Sequence, residues 1–75
     1  FVECITSYMI YAGTKGIAKK VGEEGVEAAL AAITEDDETL LGEAADLIYH
    51  LVVLLRSRGL PMSDAIRVLK ERHRP

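Results

Sequence analysis

The chain has 75 residues and a single cysteine, Cys4, so it forms one domain at most and has no internal disulfide to brace a small core. Its formal net charge of −3 gives it no nucleic-acid signature, and no apolar run approaches the ~18–20 residues of a membrane span. Hydrophobic residues make up 49%, more than so short a chain can bury alone, and part of that surface is expected to meet another subunit.

With no disulfide, stability is expected to come from a metal, a partner chain, or both. The chain begins with Phe1 rather than Met, so a trimmed chain, or one lacking a leader, is expected. One free thiol and no visible secretory feature favour the cytoplasm. Charge is unevenly spread. Nine of the twelve acids lie between Glu23 and Asp46, and six of the nine basic residues lie from Arg56 onward.

Strand alternation does not persist anywhere, whereas helical spacing recurs along the whole chain. A first helical segment is expected over roughly Val2 to Ala12. A stretch punctuated by Gly13 and Gly16 follows. Ile17, Val21, Leu30 and Ile33, with alanines at 18, 28, 29 and 32, then mark a helix of about twenty residues that fades near Thr34. "TEDDE", Thr34 to Glu38, reads as loop and cap. Asp36 or Asp37 is placed to accept from free amides of the next helix.

The next helix is expected from about Thr39 to Ser57. Its apolar residues cover more than one face, the pattern of a helix buried between two layers or two subunits. Arg56 and Arg58 suit its negative end, and Gly59 is placed to cap it. In the turn "GLPMSDA", Pro61 can take the first helical position, or Ser63 can act as cap. A short last helix carries Ile66, Val68 and Leu69 into the basic tail "KERHRP". The expected fold is all-α: a helical hairpin with flanking helices, completing a four-helix-type bundle as a homodimer.

The acids fall into pairs at helical spacing. Glu24 and Glu27 are i, i+3, while Glu23 and Glu27 are i, i+4, and like charges so placed repel. In the next helix Glu43 and Asp46 are i, i+3, and His50 follows four residues after Asp46. These interrupt an otherwise apolar helix, and charge on a half-buried face is costly unless paired or metal-bound. In an antiparallel hairpin Glu24 and Glu27 can face Glu43 and Asp46. Four carboxylates around one cavity would suit Mg²⁺ or Mn²⁺, hard ions that take oxygen ligands. Two solvated acidic faces are the alternative reading.

His50 fits either a satisfied core histidine or a residue supporting the metal from behind its ligands. Tyr49 reads as packing. Lys19 and Lys20 read as solvated lysines, or as a hold on phosphate beside a metal site. Cys4 has no recognisable base partner, and His73 is expected to be exposed.

"KKVGEEGVEAALAA", "GEAADLIYHLVVLL" and "RGLPMSDAIRVLKERH" together resemble phosphoribosyl-ATP pyrophosphohydrolase, of the all-α nucleoside-triphosphate pyrophosphatase superfamily. The superfamily pattern E-x-x-E, a gap, then E-x-x-D is matched by Glu24-x-x-Glu27, fifteen residues, and Glu43-x-x-Asp46. The blocks run from about Cys4 to His73. The resemblance implies a helical homodimer and Mg²⁺-dependent cleavage of phosphoribosyl-ATP between its α and β phosphates, giving phosphoribosyl-AMP and pyrophosphate in the second step of histidine biosynthesis. It implies Glu24, Glu27, Glu43 and Asp46 as metal ligands, Glu23 as a further ligand or accessory acid, and Lys20 as a phosphate contact.

Members of that family carry another helix before the point where this chain begins, and they read S-Y-T where it has Cys4-Ile5-Thr6. The same domain also occurs fused behind a phosphoribosyl-AMP cyclohydrolase, so the chain is expected to be either a single domain spanning 1–75 or a piece of such a fusion. Two rival readings remain: a house-cleaning nucleoside-triphosphate pyrophosphatase of the same superfamily, and a non-catalytic helical dimerisation module.

Overall fold

The computed structural model describes residues 2–73, with side chains over 4–73. Phe1 and the end of the basic tail, Arg74 and Pro75, lie outside the described residues. Three helices and no strand occur among the described residues: α1 (Val2–Thr34), α2 (Asp37–Ser57) and α3 (Met62–Arg72). The architecture is all-α, as the spacing predicts.

The two helical segments expected before Thr34 are both present within α1, joined across a break at Gly13. Gly13 sits at φ 68° and ψ 171°, a conformation essentially restricted to glycine. The break turns the chain back on itself. In an unbroken helix Ile5 and Ile17 would stand about 18 Å apart. Here both are buried and both pack with Val53 of α2. Residues before Gly13 therefore form one arm, those after it a second, and α2 a third. Cys4 meets Tyr49 and Tyr8 meets His50, so the first arm lies along the C-terminal half of α2, and Thr14, just past the break, meets Ser57 near the end of that helix.

The connections follow local chemistry. α1 ends at Thr34, whose hydroxyl donates to the Leu30 carbonyl. Asp36 is the N-cap of α2, and its side chain accepts from the Thr39 N–H at 2.9 Å. Asp37 and Glu38 fill the first turn, so the helix starts two residues before the expected Thr39. At the other end the Leu60 N–H bonds to the Leu55 carbonyl and the Gly59 N–H to the Arg56 carbonyl, both at 2.9 Å, with Gly59 at φ 73°. This is the paired closure that a left-handed glycine after a helix permits. Pro61 is neither inside α3 nor replaced by Ser63 as its cap. It is the N-cap itself, extended at φ −84° and ψ 153°, with no side-chain bond. Its carbonyl accepts from Asp64 N–H instead.

The core is small. Ile17 and Val53 are fully buried, joined by Ile5, with Tyr8, Met9, Ala12, Tyr49 and Leu54 packed around them. Large apolar side chains remain outside it, including Val26, Leu30 and Ile33 on α1 and Leu41 and Ile48 on α2. None of the described helices is long and apolar enough to cross a membrane.

Candidate metal centre

Seven residues are almost two full turns, so side chains seven apart share an azimuth. Ile17, Glu24 and Ala31 form such a row on α1, and all three are buried. The row faces α2 because Ile17 seats against Val53. Glu24 is thereby carried into the interface at 4% exposure, among the described residues the one polar side chain buried so deeply. On α2 Glu43 and His50 are likewise seven apart, and both are partly buried.

One oxygen from each of Glu24, Glu27 and Glu43 lies within 4.8 Å of the others. Glu24 Oε2 and Glu43 Oε2 are buried and have no hydrogen-bond partner. The other oxygen of Glu24 is served: Lys20 Nζ lies 3.2 Å from Oε1, and His50 Nε2 lies 3.9 Å from it. The charge on Glu24 holds the Glu27 carboxyl above its ordinary value of 4.5, with burial and Glu43 adding in the same direction. The hydrogen bond and charge of Glu24 also raise Lys20 above its ordinary 10.5.

Of the four acids expected to share a cavity, the fold thus brings three together. Asp46 is exposed and outside that group. Its azimuth is about 60° from that of Glu43 and nearly that of Val53, seven residues on. Glu23 is exposed as well, about 100° around α1 from Glu24. His50 stands directly behind the cluster, and Lys20 pairs with the cluster's buried carboxylate. Tyr49 packs on the core, and His73 is exposed.

Tyr8 is a residue that helical spacing alone does not flag. Its hydroxyl lies 3.0 Å from His50 Nδ1. The contact depends on the fold-back at Gly13, and the glycine pair Gly13 and Gly16 is the sole trace of it in the sequence. At Gly25 a side-chain carbon would meet nothing within 4 Å, so close approach of a neighbouring helix does not account for a glycine in the middle of this arm.

The donor set fits a hard divalent cation. It is all oxygen, carried on two rigid helices, with two buried oxygens lacking any partner. An open groove of about 320 Å³ adjoins it, lined by Glu27, Leu30, Thr34, Thr39 and Glu43 among others. A second hollow of about 370 Å³, lined by Met9, Arg56, Gly59, Leu60 and Pro61, shares no residue with the carboxylates.

Residues 5–73 match the model of the family described as phosphoribosyl-ATP pyrophosphohydrolase. The histidine biosynthesis bifunctional protein HisIE of Xanthomonas axonopodis pv. citri is 57% identical over 68 residues, which is 91% of this chain and 33% of that protein. The protein of the same name from Vibrio cholerae is 59% identical over 69 residues, 92% of this chain and 33% of that one. That from Xylella fastidiosa strain Temecula1 is 56% identical over 69 residues, 92% and 34% respectively. The chain spans about a third of the length of these curated relatives. A match across nearly the whole chain, carried on a fold that gathers the acidic blocks of both helices, places this chain in the phosphoribosyl-ATP pyrophosphohydrolase family.

Proposed function

We propose that this domain hydrolyses phosphoribosyl-ATP between its α and β phosphates, releasing phosphoribosyl-AMP and pyrophosphate, with Mg²⁺ or Mn²⁺ held by Glu24, Glu27 and Glu43. The observation that carries the reading is the convergence of three carboxylates from two helices, with two buried oxygens left unpartnered, in a member of this family. Asp46 joins them as the fourth acid by its place in the E-x-x-D block, about one turn along α2 from Glu43. Glu23 stands as an accessory acid.

Bound there, the cation supplies positive charge that links an acidic pocket to an anionic triphosphate and offsets charge developing on the leaving pyrophosphate. The chain's residues do the rest. Lys20 is half-exposed, so its ammonium can hold Glu24 and reach a phosphate oxygen. A carboxylate of the cluster orients a water and takes its proton as the water oxygen bonds to phosphorus and the α–β bridging bond breaks. The groove beside Glu27 and Glu43 gives the substrate room on one side of the carboxylates. His50 supports Glu24 from behind.

A homodimer belongs to the same reading. Val26, Leu30 and Ile33 fall at i, i+4 and i+7 on α1, and Leu41 and Ile48 at i, i+7 on α2, all between 56% and 81% exposed. Two such stripes on one hairpin are what a second copy would cover. Fusion to a phosphoribosyl-AMP cyclohydrolase, in the manner of bifunctional relatives, and a cytoplasmic location complete the proposal.

The test is pyrophosphate release from phosphoribosyl-ATP and from a panel of nucleoside triphosphates, with and without Mg²⁺. Release confined to phosphoribosyl-ATP and dependent on the cation supports the reading. Faster release from ordinary or damaged nucleotides would make this a house-cleaning pyrophosphatase. No release, together with no Mg²⁺-dependent rise in melting temperature, would make it a dimerisation module.

A further inference from the structure

We propose that Tyr8 is a positioning residue for the carboxylate centre: its hydroxyl fixes the His50 imidazole with Nε2–H toward Glu24 Oε1, which leaves Glu24 Oε2 free for a cation. The inference rests on the reading of Glu24 as a cation ligand and goes beyond it, because neither Tyr8 nor a histidine tautomer is part of that reading.

The geometry selects one arrangement. Tyr8 and His50 are 42 positions apart, yet the phenol oxygen lies 3.0 Å from Nδ1. The other ring nitrogen, Nε2, lies 3.9 Å from Glu24 Oε1. A neutral imidazole carries one proton. On Nε2, that proton points at a carboxylate oxygen, and Nδ1 accepts from the phenol. On Nδ1, it would turn the Nε2 lone pair toward a buried anion. Burial raises the Tyr8 phenol above its ordinary 10.0, so the hydroxyl stays a donor at neutral pH. At 3.9 Å the His50–Glu24 approach is electrostatic rather than a direct hydrogen bond.

The ring cannot swing freely. His50 meets Tyr8 edge-on, with centroids 5.4 Å apart, and Tyr49 edge-on at 5.2 Å. Tyr8 and Tyr49 are themselves stacked at 6.3 Å. Aromatic contacts thus set the plane of the imidazole, and the phenol sets which nitrogen bears hydrogen. Glu24 Oε1 is then engaged from two sides, by Lys20 and by His50, while Oε2 has no partner. Partners behind the ligands of a metal hold them in the binding rotamer.

The test uses the whole chain labelled with ¹⁵N-histidine, at a pH where the imidazole is neutral. The wild-type chain should show His50 protonated at Nε2. Protonation at Nδ1 overturns the proposal without any variant being made. Tyr8→Phe should shift His50 toward the Nδ1–H form and weaken Mn²⁺ binding, read by electron paramagnetic resonance, by about tenfold with the helical circular dichroism retained. Wild-type Mn²⁺ affinity in that variant overturns the proposal but leaves the cation reading standing. Absence of Mn²⁺ binding to the wild-type chain overturns both.

Discussion

Lys20 Nζ lies 3.2 Å from Glu24 Oε1, one helical turn before it, and is the cation nearest the most buried carboxylate described in the chain. The lysine stays half-exposed while the glutamate is withdrawn from water. Removing the lysine leaves a buried carboxylate short of its charged partner. Lys20→Gln is expected to lower the melting temperature by a few degrees without metal. It should also raise KM for phosphoribosyl-ATP by roughly tenfold, the loss of one charge-assisted bond to phosphate. Thermal melts and initial-rate kinetics check both, and an unchanged KM would remove the phosphate role.

Glu27 carries the strain of the cluster, since the charge on Glu24 raises its carboxyl above 4.5. An acid whose folded value is raised binds protons more readily in the folded state, so its contribution to stability falls as pH rises from 4.5 through the folded value. Glu27→Gln should flatten that fall and raise the metal-free melting temperature. It should also abolish the Mg²⁺-induced shift and reduce turnover by roughly a thousandfold. Circular dichroism should stay helical. Full Mg²⁺-dependent activity in the variant would sink the ligand assignment.

Asp46 separates pattern from geometry. The E-x-x-D block proposes it as a ligand, while the chain holds it exposed and apart from the three clustered acids. Asp46→Asn is expected to reduce turnover while leaving stability within about 0.5 kcal/mol, as for a surface substitution. Activity equal to wild type would restrict the centre to Glu24, Glu27 and Glu43.

Asp36 governs acid stability at the helix junction. Hydrogen bonds from Thr39 hold its carboxyl below the ordinary 3.8. The sign is opposite to that of Glu27: the contribution is fully present above 3.8 and is lost as pH falls through the lower folded value. Asp36→Ala should lower the melting temperature by a few degrees at neutral pH, with the difference vanishing in strong acid. A difference that persists in strong acid would contradict this.

Gly13 and Ile17 hold the fold-back. Gly13→Ala forces a side chain into φ 68°, ψ 171° and is expected to cost about 1–3 kcal/mol. Ile17→Ala, at a fully buried position, is expected to cost about 2–5 kcal/mol. Urea denaturation measures both. A neutral Gly13→Ala would mean that the two arms of α1 do not need this turn.

Local chemistry wrote a good deal of this protein into its sequence. The 3.6-residue period gave the helices, because an apolar stripe needs a partner wherever it falls. Asp36 and Gly59 marked their ends, because orphan amides and carbonyls must be met within a turn or so of the terminus. The three-residue spacings put Glu24 with Glu27, and Glu43 with Asp46, on common faces, since that depends on helix pitch alone. The family resemblance lay in those same blocks.

Pitch does not determine how a helix is rotated against its neighbour. That phase is set where Ile17 seats on Val53, and it carries Glu24 into the interface beside Glu43, while Asp46 stays exposed and apart from them. Nor does pitch foresee a reversal. Gly13 and Gly16 marked a weak point in the helix, but only the packing of Ile5 and Ile17 on one valine turned it into a fold-back. That reversal brings Tyr8 to His50 across 42 positions, a contact that no local spacing encodes because it exists only once three arms have packed.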